Sequence, residues 1–266
     1  MTQNKMVEGP QSSYLAKQIL KRFKNKKLKQ AKIRKGRYKK HSLKNWKEFQ
    51  NDFPLILKDV YKKGKVLFLF FTNGWTMIVK FGMTGLFYFD QKDADADIVF
   101  DFENGPLYFF DQRHFGTITI TKDGDLVINE LEKIAPDILD KRITFSDVKD
   151  RIQSINPNAT LDTVLMDQKM FLSGIGNIIK SEVLYDAKIS PVKQVKNVSE
   201  QQWKKLFSSS KKITNKVYNE IVKNSENEFF KIQKVYQQEK DPKGNKVERY
   251  ESKDGRVTFW VPNVQK

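Results

Sequence analysis

Leu165-Met166-Asp167-Gln168-Lys169-Met170-Phe171-Leu172-Ser173-Gly174-Ile175-Gly176-Asn177-Ile178-Ile179-Lys180-Ser181-Glu182 is the stretch that decides how this chain is read. A helical apolar pattern from Leu161 to Phe171 breaks at two glycines and resumes from Ile178 to Asp186. Glycine lets a backbone approach a partner with no Cβ in the way, and a helix opening directly after it presents free N–H groups that favour an anion. A phosphate suits such a place. Gly-x-Gly alone is a weak signal, because most such pairs are turns between packed helices.

Working outward, composition narrows the function. The 266 residues carry 49 Lys and Arg against 32 Asp and Glu, a net charge of +17, with no Cys and two His. That excludes a disulfide framework, a thiolate zinc site, an iron–sulfur cluster and a cysteine nucleophile, and leaves little for a histidine-built metal site. No metal and no cofactor is expected. With 39% hydrophobic and 12% aromatic residues, the chain can build a real core, as one large domain or two modest ones. The longest apolar run, Val66 to Phe71, falls far short of the roughly 20 residues a membrane span needs, so an intracellular, non-secreted protein is expected.

Charge is also unevenly placed. No acidic residue lies between Glu8 and Glu48, while 15 Lys or Arg occupy Lys17 to Lys47. Such a single-sign block suits a polyanion, since neutralising phosphates releases condensed counterions. Nucleic acid and an anionic membrane are the two candidates. Leu15, Ile19 and Phe23, at i, i+4 spacing, favour a helix face turned to a protein core over one turned to lipid.

A helix is expected over Ser12 to Phe23. Val66 to Phe71, Thr76 to Phe81, Leu86 to Phe89, Ile98 to Phe102, Leu107 to Phe110 and Gly116 to Thr121 read as strands. Asn73-Gly74, Asn104-Gly105 and Asp123-Gly124 read as tight turns between strands. This half is expected to be an antiparallel sandwich or barrel. After Pro136-Asp137 the pattern turns helical, over Phe145 to Ile155, the pair flanking the glycines, and Glu200 to Lys223; the tail from Phe229 to Lys266 suits a small hairpin.

The quoted stretch, with Asp-Gln, Gly-Ile-Gly-Asn-Ile and Ser-Glu-Val-Leu-Tyr in order, resembles the helix–two-turn–helix of the formamidopyrimidine-DNA glycosylase and endonuclease VIII family. Other motifs of that family follow in its order. Met6-Val7-Glu8-Gly9-Pro10 resembles Met-Pro-Glu-Gly-Pro with valine for proline, as some Nei-like glycosylases have it. Lys62-Lys63-Gly64-Lys65-Val66-Leu67-Phe68 resembles a basic hairpin whose lysine meets phosphate. Phe81-Gly82-Met83-Thr84-Gly85 is similar to Leu-Gly-Met-Ser-Gly, and Asp111-Gln112-Arg113-His114-Phe115-Gly116 to Asp-Pro-Arg-Arg-Phe-Gly. The resemblance runs from Met6 to Gln265.

It implies an α+β fold: an N-terminal antiparallel β-sandwich with flanking helices over 6–134, a helix–two-turn–helix domain over 135–228, and a β-hairpin finger over 229–266. It also implies a bifunctional DNA glycosylase and AP lyase, a hydrolase/lyase of base excision repair. Val7 would supply the nucleophilic α-amine and Glu8 would move protons. Lys65, catalytic and DNA-binding, would grip phosphates together with Asn177 and Arg256, and Met83, Arg113 and Phe115 would fill the void left by the flipped nucleotide. The partner would be damaged DNA, double- or single-stranded, met by a monomer where DNA is kept and away from membranes. Family members commonly close the finger with four cysteines on zinc. The matching positions here are Lys243, Lys246, Val261 and Val264, so a zincless finger is expected, packed by Val235, Tyr236, Phe259, Trp260 and Val261.

The chemistry needs a free amine at Val7, because a peptide nitrogen is delocalised and forms no Schiff base. The expectation is a functional start at Met6, removed to expose Val7, with residues 1–5 a leader or gene-model artefact. The resemblance leans to the Nei-like branch, hence to hydantoins and oxidised pyrimidines over 8-oxoguanine, with the variable loop from Asn224 to Gln233 leaving the lesion open. Two rival readings stand beside it: a catalytically silent binder of lesions or abasic sites, and a ribosomal or RNA-binding helix–two-turn–helix protein.

Overall fold

The computed structural model describes residues 7–89, 95–224, 233–252 and 255–266. The leader, Met6, Asp254 and most of the expected lesion-pocket loop lie outside them. The chain forms two compact units. One comprises Met1–Val7 with Ser12–Lys133, and the other Glu8–Gln11 with Ile134–Lys266.

Helix α1 (Gly9–Phe23) is followed by β1 (Lys27–Ile33), two short helices α2 (Arg37–Lys40) and α3 (Trp46–Asn51), and the strands β2 (Leu55–Lys63), β3 (Val66–Phe71), β4 (Thr76–Lys80), β5 (Gly85–Tyr88), β6 (Ile98–Phe102), β7 (Gly105–Asp111) and β8 (Thr117–Thr121). All ladders are antiparallel. The expected sandwich takes the form of one eight-stranded sheet, ordered β5-β7-β6-β1-β2-β3-β4-β8. Its two four-stranded halves join through the short β1–β2 ladder, where Lys27 and Leu28 face Ile56 and Leu55. Both halves feed one core, with Leu28, Phe100 and Phe109 from one and Leu57, Leu67 and Ile120 from the other. Leu15, Ile19 and Phe23 of α1 are buried in that core, which removes them from any lipid surface.

Strands β1 and β2 are not among those expected from sequence. In β1, Lys-Leu-Lys-Gln-Ala-Lys-Ile, only Leu28 and Ala31 are buried, so the lysines of the basic block mask the strand. Asp123-Gly124 is not a hairpin. Asp123 is the N-cap of α4 (Gly124–Glu132), its carboxylate accepting from the Leu126 N–H at 3.0 Å, because Asp at that position satisfies an orphan donor of the first turn. Asn73-Gly74 behaves as read, both residues at positive φ (58° and 74°) between β3 and β4.

The second unit holds α5 (Ser146–Gln153), α6 (Leu161–Met166), α7 (Asn177–Ala187), α8 (Glu200–Asn224) and a hairpin of β9 (Glu248–Glu251) and β10 (Val257–Trp260). The helix expected from Leu161 to Phe171 stops at Met166, because Gln168 turns its side chain onto the backbone. Its amide donates to the carbonyls of Met166 and Ile175, both at 2.9 Å, and its oxygen accepts from Gly174 N–H at 2.8 Å. Among the described residues no helix is long and apolar enough to cross a membrane.

Candidate functional site

Glu8 is almost fully buried, 1% exposed, and sits on the opening of α7. Its carboxylate accepts from the Ile178 N–H at 2.8 Å and the Ile179 N–H at 3.1 Å. The anion expected at this helix start is therefore the protein's own carboxylate, held by two of the four N–H groups a helix leaves unpaired. Both glycines serve that arrangement. A Cβ on Gly176 would overlap the Glu8 carboxyl group. Gly174, at φ 100°, turns its carbonyl to accept from Gly9 N–H at 2.8 Å, and a Cβ on Gly9 would lie 2.7 Å from that oxygen.

Asn177, first residue of α7, donates its amide to the Val257 carbonyl at 3.0 Å. Its Oδ1 is buried with no hydrogen-bond partner among the described residues. The same amide hydrogen-bonds the hydroxyl of Tyr236, whose pKa is raised by burial, offset by that bond and raised further by the nearby Glu8 charge. Glu8, Asn177 and Tyr236 thus form one polar group. The packing role expected for Tyr236 is also present, its ring 4.9 Å from that of Phe259. Nothing in its spacing announced the polar role. Arg256 is exposed, next to Val257, and its carbonyl accepts from Ser252 N–H and Ser252 hydroxyl at 2.8 Å each.

In the first unit, Val7 is buried in the core cluster. Lys65 is half-buried beside Gly64 (φ 60°) in the two-residue turn between paired Lys63 and Val66. The loop that carries Met83 and the loop that carries Arg113 and Phe115 are tied by a shared joint. Buried Asp111 accepts from the Thr84 hydroxyl at 2.7 Å and the Gly116 N–H at 2.5 Å, and Thr84 in turn accepts from the Arg113 N–H at 3.0 Å. Gly82 (φ 62°) lets the two loops touch, since a Cβ there would lie 2.6 Å from the Phe115 carbonyl carbon. Phe115 is 57% exposed, and the Arg113 guanidinium lies 5.2 Å from its ring centre. An exposed ring beside a cation offers a face on which a base can stack.

The profile of the formamidopyrimidine-DNA glycosylase N-terminal domain matches residues 6–118, and that of its H2TH domain matches 134–225. The formamidopyrimidine-DNA glycosylase of Ureaplasma parvum is 30% identical over 225 residues, spanning 77% of this chain and 80% of its own. The chain belongs to the formamidopyrimidine-DNA glycosylase family. The Listeria monocytogenes enzyme of that name is 29% identical over 228 residues, 79% of this chain and 82% of its own. The fold is that of the Lactococcus lactis formamidopyrimidine-DNA glycosylase bound to DNA containing an AP site (TM-score 0.84, 20% identity, 97% of this chain and 99% of the other) and of the Thermus thermophilus protein (0.81, 23%, 97% and 98%). As a member of this glycosylase family, the chain is a DNA-binding protein of the repair class.

The zinc that commonly closes the family's finger does not fit the residues of this one. Lys243 and Lys246 offer ammonium groups, Val261 is a buried aliphatic, and Val264 brings no donor atom, whereas zinc needs thiolate, imidazole or carboxylate. Among the described residues no cluster of three His, Cys, Asp or Glu could hold a metal ion.

Proposed function

We propose that this family member is a bifunctional DNA glycosylase and AP lyase that removes oxidised bases, hydantoins and oxidised pyrimidines before 8-oxoguanine, through a Schiff base on the Val7 amine. One observation carries the reading: the residue directly after Val7 is a buried carboxylate clamped by two backbone N–H groups at the start of α7. Held in one orientation by those two bonds, the Glu8 carboxylate is positioned to take and return a proton without changing rotamer.

The amine attacks C1′ and the base leaves with a proton. The C1′–O4′ bond then breaks, O4′ taking the proton the amine gives up, and a protonated imine, the iminium, remains. The iminium draws electrons from the C2′–H bond, whose proton is lost as the bond to the 3′ phosphate breaks. Glu8 serves sugar opening and base departure. Lys65, Asn177 and Arg256 hold flanking phosphates, a task for which the planar guanidinium of Arg256 is suited. Met83, Arg113 and Phe115 occupy the space the nucleotide vacates. The valine imine is neutral until protonated, so β-elimination runs ahead of δ-elimination. The finger works without metal, and the protein acts as a monomer wherever DNA is kept.

The test is borohydride trapping on lesion-bearing single and double strands, comparing protein that begins at Val7 with the full 266-residue chain. A covalent adduct from the Val7 form alone is the expected result. Tight binding without adduct or cleavage from either form would leave the silent-binder reading in its place.

A further inference from the structure

Without a metal, something else must hold the finger, and one face of α7 does so. Asn177, Ser181 and Tyr185, at i, i+4 and i+8, share a side of the helix, with Glu182 adjacent. Asn177 donates to Val257 O, Ser181 Oγ accepts from Phe259 N–H at 3.3 Å, and Glu182 accepts from the N–H groups of Lys234, Val235 and Tyr236, each at 2.9 Å. Tyr185 reaches furthest, donating its hydroxyl to Asp241 Oδ2 at 3.0 Å.

Asp241 is 4% exposed, and its carboxylate accepts four hydrogen bonds. Oδ1 takes Lys243 N–H at 2.9 Å and Asn245 N–H at 2.8 Å, while Oδ2 takes the Asn245 side-chain amide at 2.9 Å and Tyr185. The Asp241 N–H closes the same turn onto Asn245 O at 2.9 Å, and Gly244 (φ 85°) permits it. Burial alone would raise this carboxyl, and the donors of Asn245, Tyr185 and Lys243 hold it below its usual range. The knuckle, Asp241 to Asn245, contains Lys243 and ends just before Lys246, two of the positions that match metal ligands, and leads through the Lys240–Lys246 bridge into β9, whose pairing with β10 sets the turn carrying Arg256.

We propose that Asp241 is the positioning residue of the finger: a single carboxylate with four donors, fastened to α7 by Tyr185, does the cross-linking that a four-liganded metal does elsewhere, and thereby aims Arg256 at DNA. This rests on the reading of Arg256 as a phosphate-gripping residue. The knuckle itself is built only from hydrogen bonds, so chelators leave it intact.

The experiment is anisotropy titration of a duplex carrying a tetrahydrofuran abasic analogue, over a range of salt, with the full chain and its D241N, Y185F, R256A and D241N/R256A variants. D241N places an amide where donors converge and is expected to weaken binding about tenfold, and Y185F about threefold. R256A and D241N should each lower the salt slope by about 0.9, one phosphate contact. The double variant should bind no more weakly than R256A alone. A role confined to stability would lower the thermal midpoint and leave the slope of the folded protein unchanged, overturning the proposal, as would losses that multiply in the double variant. Should D241N not fold, the same slope and non-additivity are read from Y185F and a Y185F/R256A double variant. If R256A binds like wild type, the phosphate reading of Arg256 fails and the inference goes with it. If R256A weakens binding while D241N and Y185F do not, only the inference fails.

Discussion

Replacing Gly176 with alanine puts a methyl group where the Cγ, Cδ and Oε1 of Glu8 now lie. Gly176 has φ −117° and ψ −170°, extended backbone that any residue adopts, so strain does not enter. What gives way is the end of the Glu8 side chain, and the cost is the two bonds it leaves, at 2.8 and 3.1 Å in a site 1% exposed. A hydrogen bond to a charged group contributes about 1.5–3 kcal/mol. With water replacing part of what is lost, G176A should be destabilised by about 2 to 4 kcal/mol. A displaced general acid–base costs about 10²- to 10⁴-fold in rate. Urea unfolding reads the first figure and single-turnover cleavage of abasic-site DNA reads the second, with undamaged-duplex binding as the control that should change little. G176A cleaving at the wild-type rate with an unchanged unfolding midpoint would show that the Glu8 cradle is not what the chemistry needs.

Thr84→Val keeps shape and removes the joint between the two void-filling loops, so the Arg113 N–H and Asp111 Oδ1 each lose a partner. Base release from duplex should fall about tenfold in kcat/KM, with stability lower by about 1 to 2 kcal/mol; an equal loss on single strands would refute the void-filling role. Burial first, then Asp241 and Glu182, push the Tyr185 hydroxyl from 10.0 up to about 12. The fold prefers the neutral phenol, so its contribution is whole below pH 10 and is lost as pH rises through about 12. Across that window wild type should lose about 2 to 3 kcal/mol that Y185F does not, by urea unfolding at stepped pH; identical pH profiles would refute the coupling. Metal removal by chelation should change neither the thermal midpoint nor DNA binding, and a loss in either would expose a ligand set that the finger's side chains do not offer.

Much of this fold is legible because its signals are local. Val66 to Phe71 and Ile98 to Phe102 are apolar runs closed by turn residues, and they coincide with β3 and β6. The break at Gly174-Ile175-Gly176 is equally visible. Strand β1 was not, because lysines on its exposed side outweigh Leu28 and Ala31 in any periodicity count, and its pairing with β6 links residues far apart in the chain. Gln168 illustrates a different limit: nothing local distinguishes a glutamine that ends a helix from one that continues it until Gly174 and Ile175 arrive to be hydrogen-bonded.

The site divides along the same line. Residue type and order alone specify that a carboxylate follows Val7, that a basic turn precedes β3, that glycines flank Ile175, and that no thiol exists to bind zinc. Those are covalent facts, carried in every unfolded copy of the chain. Only tertiary structure decides which anion occupies the start of α7, because Glu8 reaches Ile178 across 170 positions of sequence. The same holds for Tyr236 beside Asn177 and Asp241 beneath Tyr185. Each is a buried polar group that must find a partner, and which partner it finds is set by the packing of helices and hairpin, a property no stretch of neighbouring residues contains.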